Sequence, residues 1–180
     1  MTTSMTLLPP DPRDSGRRWW DVVDVQFGSV SIELVLESDA DAVTGVHFGQ
    51  SSDRRWAERE SWTRDPRPVA GVASQLAEYG AGNLKDFELV LRPVGTGFQR
   101  DVWSALAAIP YGTTTSYGKV AAEVGRPKGS RAVGMAVGSN PIAIVIPCHR
   151  VIGADGSLTG FGGGLDNKVA LLRLEGITAF

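Results

Sequence analysis

The chain changes character at residues 95–97, Gly-Thr-Gly, and this change restricts its fold more than any other feature. Before that point, apolar and polar residues alternate in short runs, which is the period of half-buried strands. After it, apolar residues recur three and four positions apart, as on one face of a helix: Phe98, Val102, Leu106 and Ile109. We therefore expect an α+β protein, with a small N-terminal α+β domain over residues 19–94 and a mostly helical C-terminal domain over residues 95–180.

The N-terminal half is predicted to hold several strands and one helix. Strand, strand, strand, helix and strand follow each other as Val22–Phe27, Val30–Leu36, Val43–Phe48, Val69–Tyr79 and Phe87–Leu91. Residues 28–29, Gly-Ser, have the composition of a tight turn. Residues 50–67 are polar and broken by prolines, which predicts a loop. Residues 1–18 combine prolines with mixed charges, so we expect a disordered tail. We find no catalytic signature in this half.

Two short helices are predicted next to each other in the C-terminal half. Ser116 to Val124 forms the first, capped by Thr115 or Ser116, and a tight turn over 125–129 leads to a second helix over 131–138 that Ser130 caps. Two short helices joined by a turn with glycine follow the plan of a DNA-binding helix-turn-helix. Such helix pairs are also common in proteins that never contact nucleic acid, so this pattern alone leaves both functions open.

The second of these helices carries few side chains that could read bases in a major groove. Residues 132, 134, 136 and 138 are Ala or Gly, and Arg131 is the one long cation. A major-groove reader displays Asn, Gln or several Arg toward the bases. A bare helix can instead approach a minor groove closely, with a single long side chain as a wedge, or it can pack tightly on another helix. The sequence leaves both interpretations open.

Cys148 is the only cysteine in 180 residues. It cannot form an internal disulfide, and the chain's two histidines cannot complete a structural zinc site with it. A free cysteine is most often a small buried apolar residue. Here, however, Pro147 precedes it and His149 and Arg150 follow, and nearby cations favour the reactive thiolate. This context favours a nucleophile over an inert core residue.

The composition is that of an ordinary soluble protein, with a mean hydropathy of -0.05 and a net charge of -2. No apolar run approaches the roughly 18 residues that a membrane helix requires, and residues 1–18 lack the apolar core of a signal peptide. We therefore expect a cytoplasmic protein that does not contact a membrane. Residues 1–96 carry a net charge of -5 and residues 97–180 one of +3, so a polyanion is expected to bind the second half.

The C-terminal half carries an ordered series of motifs. In chain order they are Phe98-Gln99-Arg100-Asp101-Val102-Trp103, Ile109-Pro110-Tyr111-Gly112, Ser116-Tyr117-Gly118, Arg131-Ala132-Val133-Gly134, Asn140-Pro141-Ile142, the octapeptide IPCHRVIG at 146–153, GFGGGL at 160–165 and Glu175-Gly176. The series resembles the methylated-DNA–protein-cysteine methyltransferases, the 6-O-alkylguanine repair proteins, densely over 97–176 and loosely over 19–96. The resemblance implies a ribonuclease-H-like N-terminal α/β domain and a C-terminal domain that contains a helix-turn-helix.

The resemblance also implies a direct-reversal repair reaction that each molecule performs once. In this family a cysteine thiolate attacks the alkyl group on O6 of guanine in line and keeps it as a stable thioether. Cys148 would be the nucleophile and acceptor, His149 would take the thiol proton through a water, and Glu175 would orient the imidazolium. Asn140 would brace the second helix against the cysteine, although it could also cap that helix. Tyr117 would press on the phosphate and hydrogen-bond the base.

The implied DNA contacts centre on Arg131, which would fill the space left when the guanine flips out of the duplex. The further implied DNA-binding residues are Ser116, Tyr117, Lys128, Ala132 and Gly134. The loop over 157–164 would close on the base, with backbone groups near Gly162 reaching O6. The implied substrate-binding residues are Cys148, Val151, Phe161 and Gly162, the carbonyls of Cys148 and Val151 accepting from the guanine amino group.

Two departures from the family pattern bear on the site. Some relatives carry a serine where Gly162 stands, so its hydroxyl is missing here. Others bind zinc in the N-terminal half, whereas residues 1–96 contain only His47 and no cysteine. We expect no metal, no cofactor, and a monomer that binds double-stranded DNA containing 6-O-alkylguanine; cooperative binding along DNA stays open.

Two alternative functions remain. The first is a module that recognises alkylated guanine without chemistry, and the presence of Cys148 argues against it. The second is a cysteine hydrolase, whose histidine would normally lie far from the cysteine in sequence.

Overall fold

The computed structural model describes residues 5–11, 16–49 and 62–180. A six-stranded mixed sheet and a group of helices share one hydrophobic core, in agreement with the α+β expectation. Within these described ranges, no helix is both long and apolar enough to span a bilayer.

The sheet is built around an antiparallel meander. Its strands are β1 (Thr6–Leu7), β2 (Trp19–Phe27), β3 (Val30–Ser38), β4 (Val43–Phe48), β5 (Thr63–Arg64) and β6 (Val90–Leu91), in the spatial order β1-β6-β4-β3-β2-β5. β2 and β3 pair over their whole length. Gly28 between them has a φ of +59°, which suits the predicted tight turn. All six residues of β4 are buried, because this central strand is covered on both faces.

The N-terminal half differs from the sequence prediction at its less regular segments. Thr6–Leu7, expected in a disordered tail, pair in parallel with β6, and Leu7 packs against the core. Thr63–Arg64, expected in a loop, pair with the start of β2. The strand predicted over 87–91 forms only at its last two residues. The predicted tail and loop also include residues 1–4, 12–15 and 50–61, which lie outside the described residues.

Five α-helices lie in the described part of the chain: α1 (Ala70–Gly80), α2 (Gly97–Ala107), α3 (Tyr117–Glu123), α4 (Ser130–Gly138) and α5 (Leu165–Leu174). The sequence pattern predicts the first four to within two residues, whereas α5 comes without a prediction. α2 begins in a capping box, in which Thr96 and Gln99 exchange side-chain-to-backbone hydrogen bonds. A separate parallel pair joins β7 (Thr115–Ser116) to β8 (Val151–Ile152).

The two helices of the predicted pair are capped differently. Ser116 is the N-cap of α3 and accepts from the backbone N of Lys119 at 3.3 Å, as one of the two predicted caps. Ser130, in contrast, does not cap α4. It is the first helical residue, and Gly129 occupies the cap position without a side-chain bond. The preceding turn closes at Gly129, whose backbone N donates to the Arg126 carbonyl at 2.7 Å.

Sheet and helices meet along the segment that leads to Cys148. The backbone N of Val46 in β4 donates to the Pro141 carbonyl at 2.9 Å, and the backbone N of Ala143 donates to the Val46 carbonyl at 3.0 Å. Val46 and Ile142 are fully buried here, and each such aliphatic side chain stabilises the fold by about 1.5–3 kcal/mol. This contact fixes the backbone ahead of the cysteine relative to the sheet.

Candidate active site

Cys148 begins a single 3₁₀ turn, Cys148–Arg150, that lies between this contact and β8. The Cys148 backbone N donates to the Ile146 carbonyl at 2.8 Å, and the Arg150 backbone N donates to the Pro147 carbonyl at 3.0 Å. Upstream, Ile144 has a φ of 71°, a conformation that a β-branched residue adopts only under tertiary constraint. The backbone around the thiol is therefore held tightly in place.

A cavity of ≈ 170 Å³ opens beside the cysteine. Four parts of the chain line it: β4 through residues 46–48, the end of α4 and the residues after it through Val137, Gly138 and Asn140, the following segment through Ala143 and Cys148, and the loop over 160–163. Cys148 itself is 5% exposed, so a reagent must enter this cavity to reach the sulfur.

Burial raises the pKa of the Cys148 thiol above its ordinary value of 9.0, while a hydrogen bond with Asn140 and the charge of Lys168 act in the opposite direction. The cation that favours the thiolate is therefore Lys168 and not the sequence neighbours His149 and Arg150, and in the resting protein burial outweighs its effect. Arg150 follows the cysteine in sequence, but its guanidinium turns to Glu175, with Nη2 2.8 Å from Oε1. The reactive thiolate thus requires a base that removes the thiol proton.

His149 is fully buried, and its two ring nitrogens have different surroundings. Nε2 lies 3.0 Å from Glu175 Oε1, whereas Nδ1 is buried and has no hydrogen-bond partner among the described residues. Because a carboxylate only accepts, the Nε2 proton points to Glu175, and Nδ1 carries the free lone pair of a base. Burial lowers the pKa of His149, against the opposing effect of Glu175. The imidazole is therefore neutral at pH 7 and can accept a proton.

Glu175 carries a buried negative charge that is fully hydrogen-bonded. Its Oε1 accepts from the Tyr79 hydroxyl at 2.6 Å as well as from His149 and Arg150, and its Oε2 accepts from the Gly112 backbone N at 3.0 Å. Burial acts to raise the pKa of Glu175, but hydrogen bonds with His149 and Arg150 outweigh it and lower the pKa to about 2. The carboxylate is therefore ionised at neutral pH.

Asn140 joins the end of α4 to the cysteine turn. Its Nδ2 donates to the Ile146 carbonyl at 2.8 Å, and its Oδ1 accepts from the Ile142 backbone N at 3.1 Å. The C-cap of α4 is Ser139. Asn140 therefore links two segments of the site and does not cap the helix.

Tyr117 lies between the helix pair and the loop over 157–164. The Thr159 Oγ1 donates to the Tyr117 hydroxyl at 2.8 Å. The Tyr117 ring lies against Gly134 of α4, where an added Cβ would be 3.8 Å from it. The ring therefore packs in van der Waals range of the helix, and an alanine at position 134 would also fit. Ser116 pairs with β8, which ties the start of α3 to the backbone that follows the cysteine.

The outer face of α4 is exposed and carries one cation. Arg131, Ala132 and Gly138 are exposed there, and the described residues provide no ion-pair partner for the Arg131 guanidinium. Met135, which came without a prediction, lies one turn beyond Arg131 and is 74% exposed. Lys128 is exposed in the turn before the helix.

Of the predicted substrate-contact residues, Cys148, Phe161 and Gly162 line the cavity, whereas Val151 does not. Phe161 meets Phe48 of β4 edge to face, with ring centroids 5.4 Å apart, and Gly162 is exposed on the cavity wall. The Val151 carbonyl accepts from Lys168 Nζ at 2.7 Å. Because a carbonyl oxygen has two lone pairs, Val151 can still accept from a bound base.

Two residues of the site, Lys168 and Tyr79, come without a sequence prediction. Lys168 is 1% exposed on α5, and burial lowers its pKa while Cys148 acts to raise it. Its position three and four residues before Leu171 and Leu172 places it on the buried face of α5, and this spacing is a signal that the sequence does contain. Tyr79 belongs to the apolar face of α1 and is indistinguishable from a core residue by pattern.

The part of the chain that the structure describes contains no cluster of three His, Cys, Asp or Glu arranged to hold a metal. The groups that do come together are a thiol, an imidazole with a free nitrogen and an ionised carboxylate. This order of nucleophile, base and orienting carboxylate suits nucleophilic substitution coupled to proton transfer.

Comparison with known proteins gives consistent matches. Residues 97–177 match the family model described as the DNA-binding domain of 6-O-methylguanine DNA methyltransferase. The chain is 58% identical over 117 residues to a methylated-DNA–protein-cysteine methyltransferase of Mycolicibacterium paratuberculosis, over 65% of this chain and 71% of the relative. It is 47% identical over 143 residues to a protein of the same name from Methanosarcina acetivorans, over 79% and 91%. The crystal structure of Mycobacterium tuberculosis OGT in complex with DNA has a TM-score of 0.79 and 44% identity, over 87% of this chain and 92% of that one.

Proposed function

The chain belongs to the methylated-DNA–protein-cysteine methyltransferase family, and we propose that Cys148 is the residue that takes the alkyl group from O6 of guanine in DNA. The reaction is a direct reversal of DNA damage, because the base itself is restored. One observation carries the assignment: the single thiol faces a cavity and follows a segment braced by Asn140, next to an imidazole whose Nδ1 is free.

The proposed reaction transfers a proton before the alkyl group. His149 Nδ1 takes the thiol proton through a water, and the sulfur attacks the alkyl carbon in line with the bond to O6. The S–C bond forms as the C–O6 bond breaks, the electron pair goes to guanine, and the proton from the thiol replaces the alkyl group there. Glu175 stabilises the imidazolium in between. The raised pKa of Cys148 supports this order, since the thiol stays protonated until a base removes its proton.

The proposed reaction happens once per molecule. Hydrolysis of the thioether would have to expel the Cys148 thiolate from the alkyl carbon, and neither the imidazole nor the carboxylate of this site promotes that step. Cys148 is the only cysteine, so no second thiol of the chain can take over the alkyl group. The protein is therefore consumed by the repair of one base.

We further propose that α3 and α4 act as a helix-turn-helix and that α4 enters the minor groove. Apart from Arg131 and Met135, the exposed residues of α4 are small, which supports close approach. The Arg131 guanidinium, which has no ion-pair partner among the described residues, would fill the space of the flipped guanine. Ala132 and Gly134 would lie nearest the DNA backbone, and Ser116 and Lys128 beside the phosphates.

The flipped base would be held between the helix pair and the loop over 157–164. Tyr117 supports this placement because it bonds to the loop through Thr159 and packs on Gly134. Phe161 and the backbone at Gly162 would close on the base, and the Cys148 and Val151 carbonyls would accept from its amino group.

The domain types and boundaries, the cellular location and the oligomeric state are proposals as well. We propose a ribonuclease-H-like N-terminal domain over 19–94, a catalytic and DNA-binding domain over 95–180, and a cytoplasmic protein that acts as a monomer. The buried contact of Val46 with the segment after Pro141 argues that the two domains act as one unit at the site.

A titration of damaged DNA tests the proposed function. A duplex with one 6-O-methylguanine inside a restriction site that the lesion blocks is mixed with increasing protein, and the fraction of cleavable duplex is measured. We expect one duplex restored per protein molecule. Restoration of many duplexes per molecule would contradict the single-turnover reaction, and tight binding without restoration would indicate a recognition module.

A further inference from the structure

We propose that Tyr79, from the N-terminal half, is a positioning residue for the proton transfer from Cys148 to His149. The inference rests on the proposed function, because it concerns the proton route of that reaction. Tyr79 acts through Glu175 and not on the reacting atoms.

Tyr79 shares one carboxylate oxygen with the catalytic imidazole. Its hydroxyl donates to Glu175 Oε1 at 2.6 Å, and His149 Nε2 approaches the same oxygen at 3.0 Å. The hydroxyl oxygen and Nε2 are 3.5 Å apart, so the three groups form a closed triangle. A donor on one side of Oε1 fixes the direction in which the Nε2 proton must point, and this direction selects the tautomer that leaves Nδ1 as the base.

The fold gives the Tyr79 ring a fixed position. Tyr79 is 0% exposed, and three aromatic rings surround it with centroids 5.3 to 6.2 Å away: Phe27, Phe87 and Tyr111. At the next residue, an added Cβ on Gly80 would lie 2.1 Å from the Gln26 carbonyl, so the end of α1 is pressed against β2. The hydroxyl is therefore presented to Glu175 by the end of a helix that packs against the sheet.

Tyr79 stays a hydrogen-bond donor over the working pH range. Burial raises its pKa, and the charge of Glu175 raises it further. The other groups that act on this carboxylate and imidazole are Arg150, the Gly112 N–H, Tyr111 and Lys168. Among them, Arg150 and Gly112 also compete for the carboxylate. Without the tyrosine hydroxyl, Oε1 is expected to keep its contacts with His149 and Arg150 but to lose the donor that fixes its position.

The pH dependence of alkyl transfer is expected to report this role. Loss of the hydroxyl leaves more negative charge on Glu175 Oε1, and that charge raises the pKa of His149. Because transfer needs neutral His149, the acid limb of the rate profile should then move to higher pH.

The test measures single-turnover methyl transfer from duplex DNA carrying 6-O-methylguanine over roughly pH 5 to 9. Tyr79→Phe is expected to slow transfer by about tenfold at neutral pH and to move the acid limb upward. Tyr111→Phe is the matched control, because its hydroxyl lies in the same aromatic cluster but donates to the Leu174 carbonyl at 3.0 Å. The control is expected to keep the acid limb of the wild type.

Two further variants separate positioning from general destabilisation. In a Glu175→Gln background, Tyr79→Phe is expected to cause no additional loss of rate, since its effect passes through the carboxylate. Tyr79→3-fluorotyrosine keeps the ring shape and makes the hydroxyl a stronger donor, so the acid limb should move to lower pH. If Tyr79→Phe does not fold, the shift of the acid limb in the 3-fluorotyrosine variant tests the proposal on its own.

An unchanged acid limb in Tyr79→Phe, or equal shifts in Tyr79→Phe and Tyr111→Phe, would overturn the role of Tyr79. An additional loss in the Glu175→Gln background would overturn the route through the carboxylate. If the wild-type protein transfers no methyl group, the proposed function fails. If the wild type transfers it and Tyr79→Phe has the same rate and pH profile, only the role of Tyr79 fails.

Discussion

The two halves of the molecule serve one site in different ways. The C-terminal half supplies the groups proposed to react, and two of them, Cys148 and His149, are neighbours in sequence. The N-terminal half contains no catalytic signature, yet it contacts the site through the backbone of Val46, the ring of Phe48 and the hydroxyl of Tyr79. Candidate reactive groups can thus be recognised from local sequence, whereas the groups that contact them from the other half can be identified only in the folded chain.

The largest expected effect is the loss of methyl transfer when Cys148, in the C-terminal half, is replaced. Cys148→Ala removes the proposed acceptor, so methyl transfer from duplex DNA should be abolished, while binding to the lesion should be retained because the outer face of α4 is untouched. Transfer is measured by the radioactivity that moves from a labelled methyl group to protein, and binding by gel shift. Normal transfer by this variant would remove the basis for the proposed mechanism.

The second effect separates DNA binding from thiol chemistry within the same half. Arg131→Ala should weaken binding to the lesion duplex by about tenfold or more, since a good DNA contact contributes about 1–3 kcal/mol. Titration of the thiolate absorbance should be the same as in the wild type, because Arg131 lies on the exposed face of α4.

The control for Arg131 is Arg126→Ala, which removes an exposed arginine from the turn ahead of α4. Both variants lose one positive charge, so non-specific attraction to DNA falls equally. If the two variants lose the same affinity for the lesion, Arg131 has only a general electrostatic role.

Only part of the fold and of the candidate site can be predicted from the sequence. The helices α2, α3 and α4 of the C-terminal half follow from apolar spacing and caps, whereas α5 does not, and the candidates Cys148, His149 and Glu175 come from motifs. Tyr79 could not be predicted, because 96 residues separate it from Glu175 and only the packing of α1 brings them together. The cap at Ser130 was wrong because the turn closes at Gly129, a one-residue difference that helix propensities do not resolve.

The third effect tests the support that the N-terminal half gives to the loop over the cavity. A Cβ on Gly163 would lie 2.4 Å from the Phe48 ring, whereas one on Gly162 would meet only the Gly138 carbonyl at 4.0 Å. Gly163→Ala should therefore destabilise the protein by about 1–3 kcal/mol through overpacking, and Gly162→Ala should change little. Chemical denaturation measures both, and equal stabilities would contradict the packing of the loop on β4.

The smallest expected effect is on stability at acid pH, to which Asp65 in the N-terminal half and Glu175 in the C-terminal half both contribute. The pKa of Asp65 is lowered to about 2, chiefly by hydrogen bonds with Arg67, and that of Glu175 is lowered to about 2 by His149 and Arg150 against the effect of burial. A carboxyl group with a lowered folded-state pKa stabilises the protein above its unfolded pKa and loses that contribution as the pH falls through the folded value. For Glu175 the loss should occur between pH 4.5 and about 2.

Salt distinguishes the two carboxylates. Arg67 is 87% exposed and the Glu175 side chain is 0% exposed, so added salt should screen the first pair and spare the second. We expect Asp65→Asn to alter the acid unfolding curve only at low salt. Glu175→Gln should remove the loss of stability between pH 4.5 and about 2 at both low and high salt, as followed by circular dichroism. A Glu175 contribution that salt removes would contradict the buried network.

The most direct test of the account is intact-protein mass spectrometry after the protein is mixed with an excess of duplex DNA carrying one 6-O-methylguanine. We expect a mass increase of one methyl group per molecule, which does not rise with further DNA and which peptide mapping places on Cys148. An unchanged mass, or a methyl group on any other residue, would contradict the central claim that Cys148 is the alkyl acceptor.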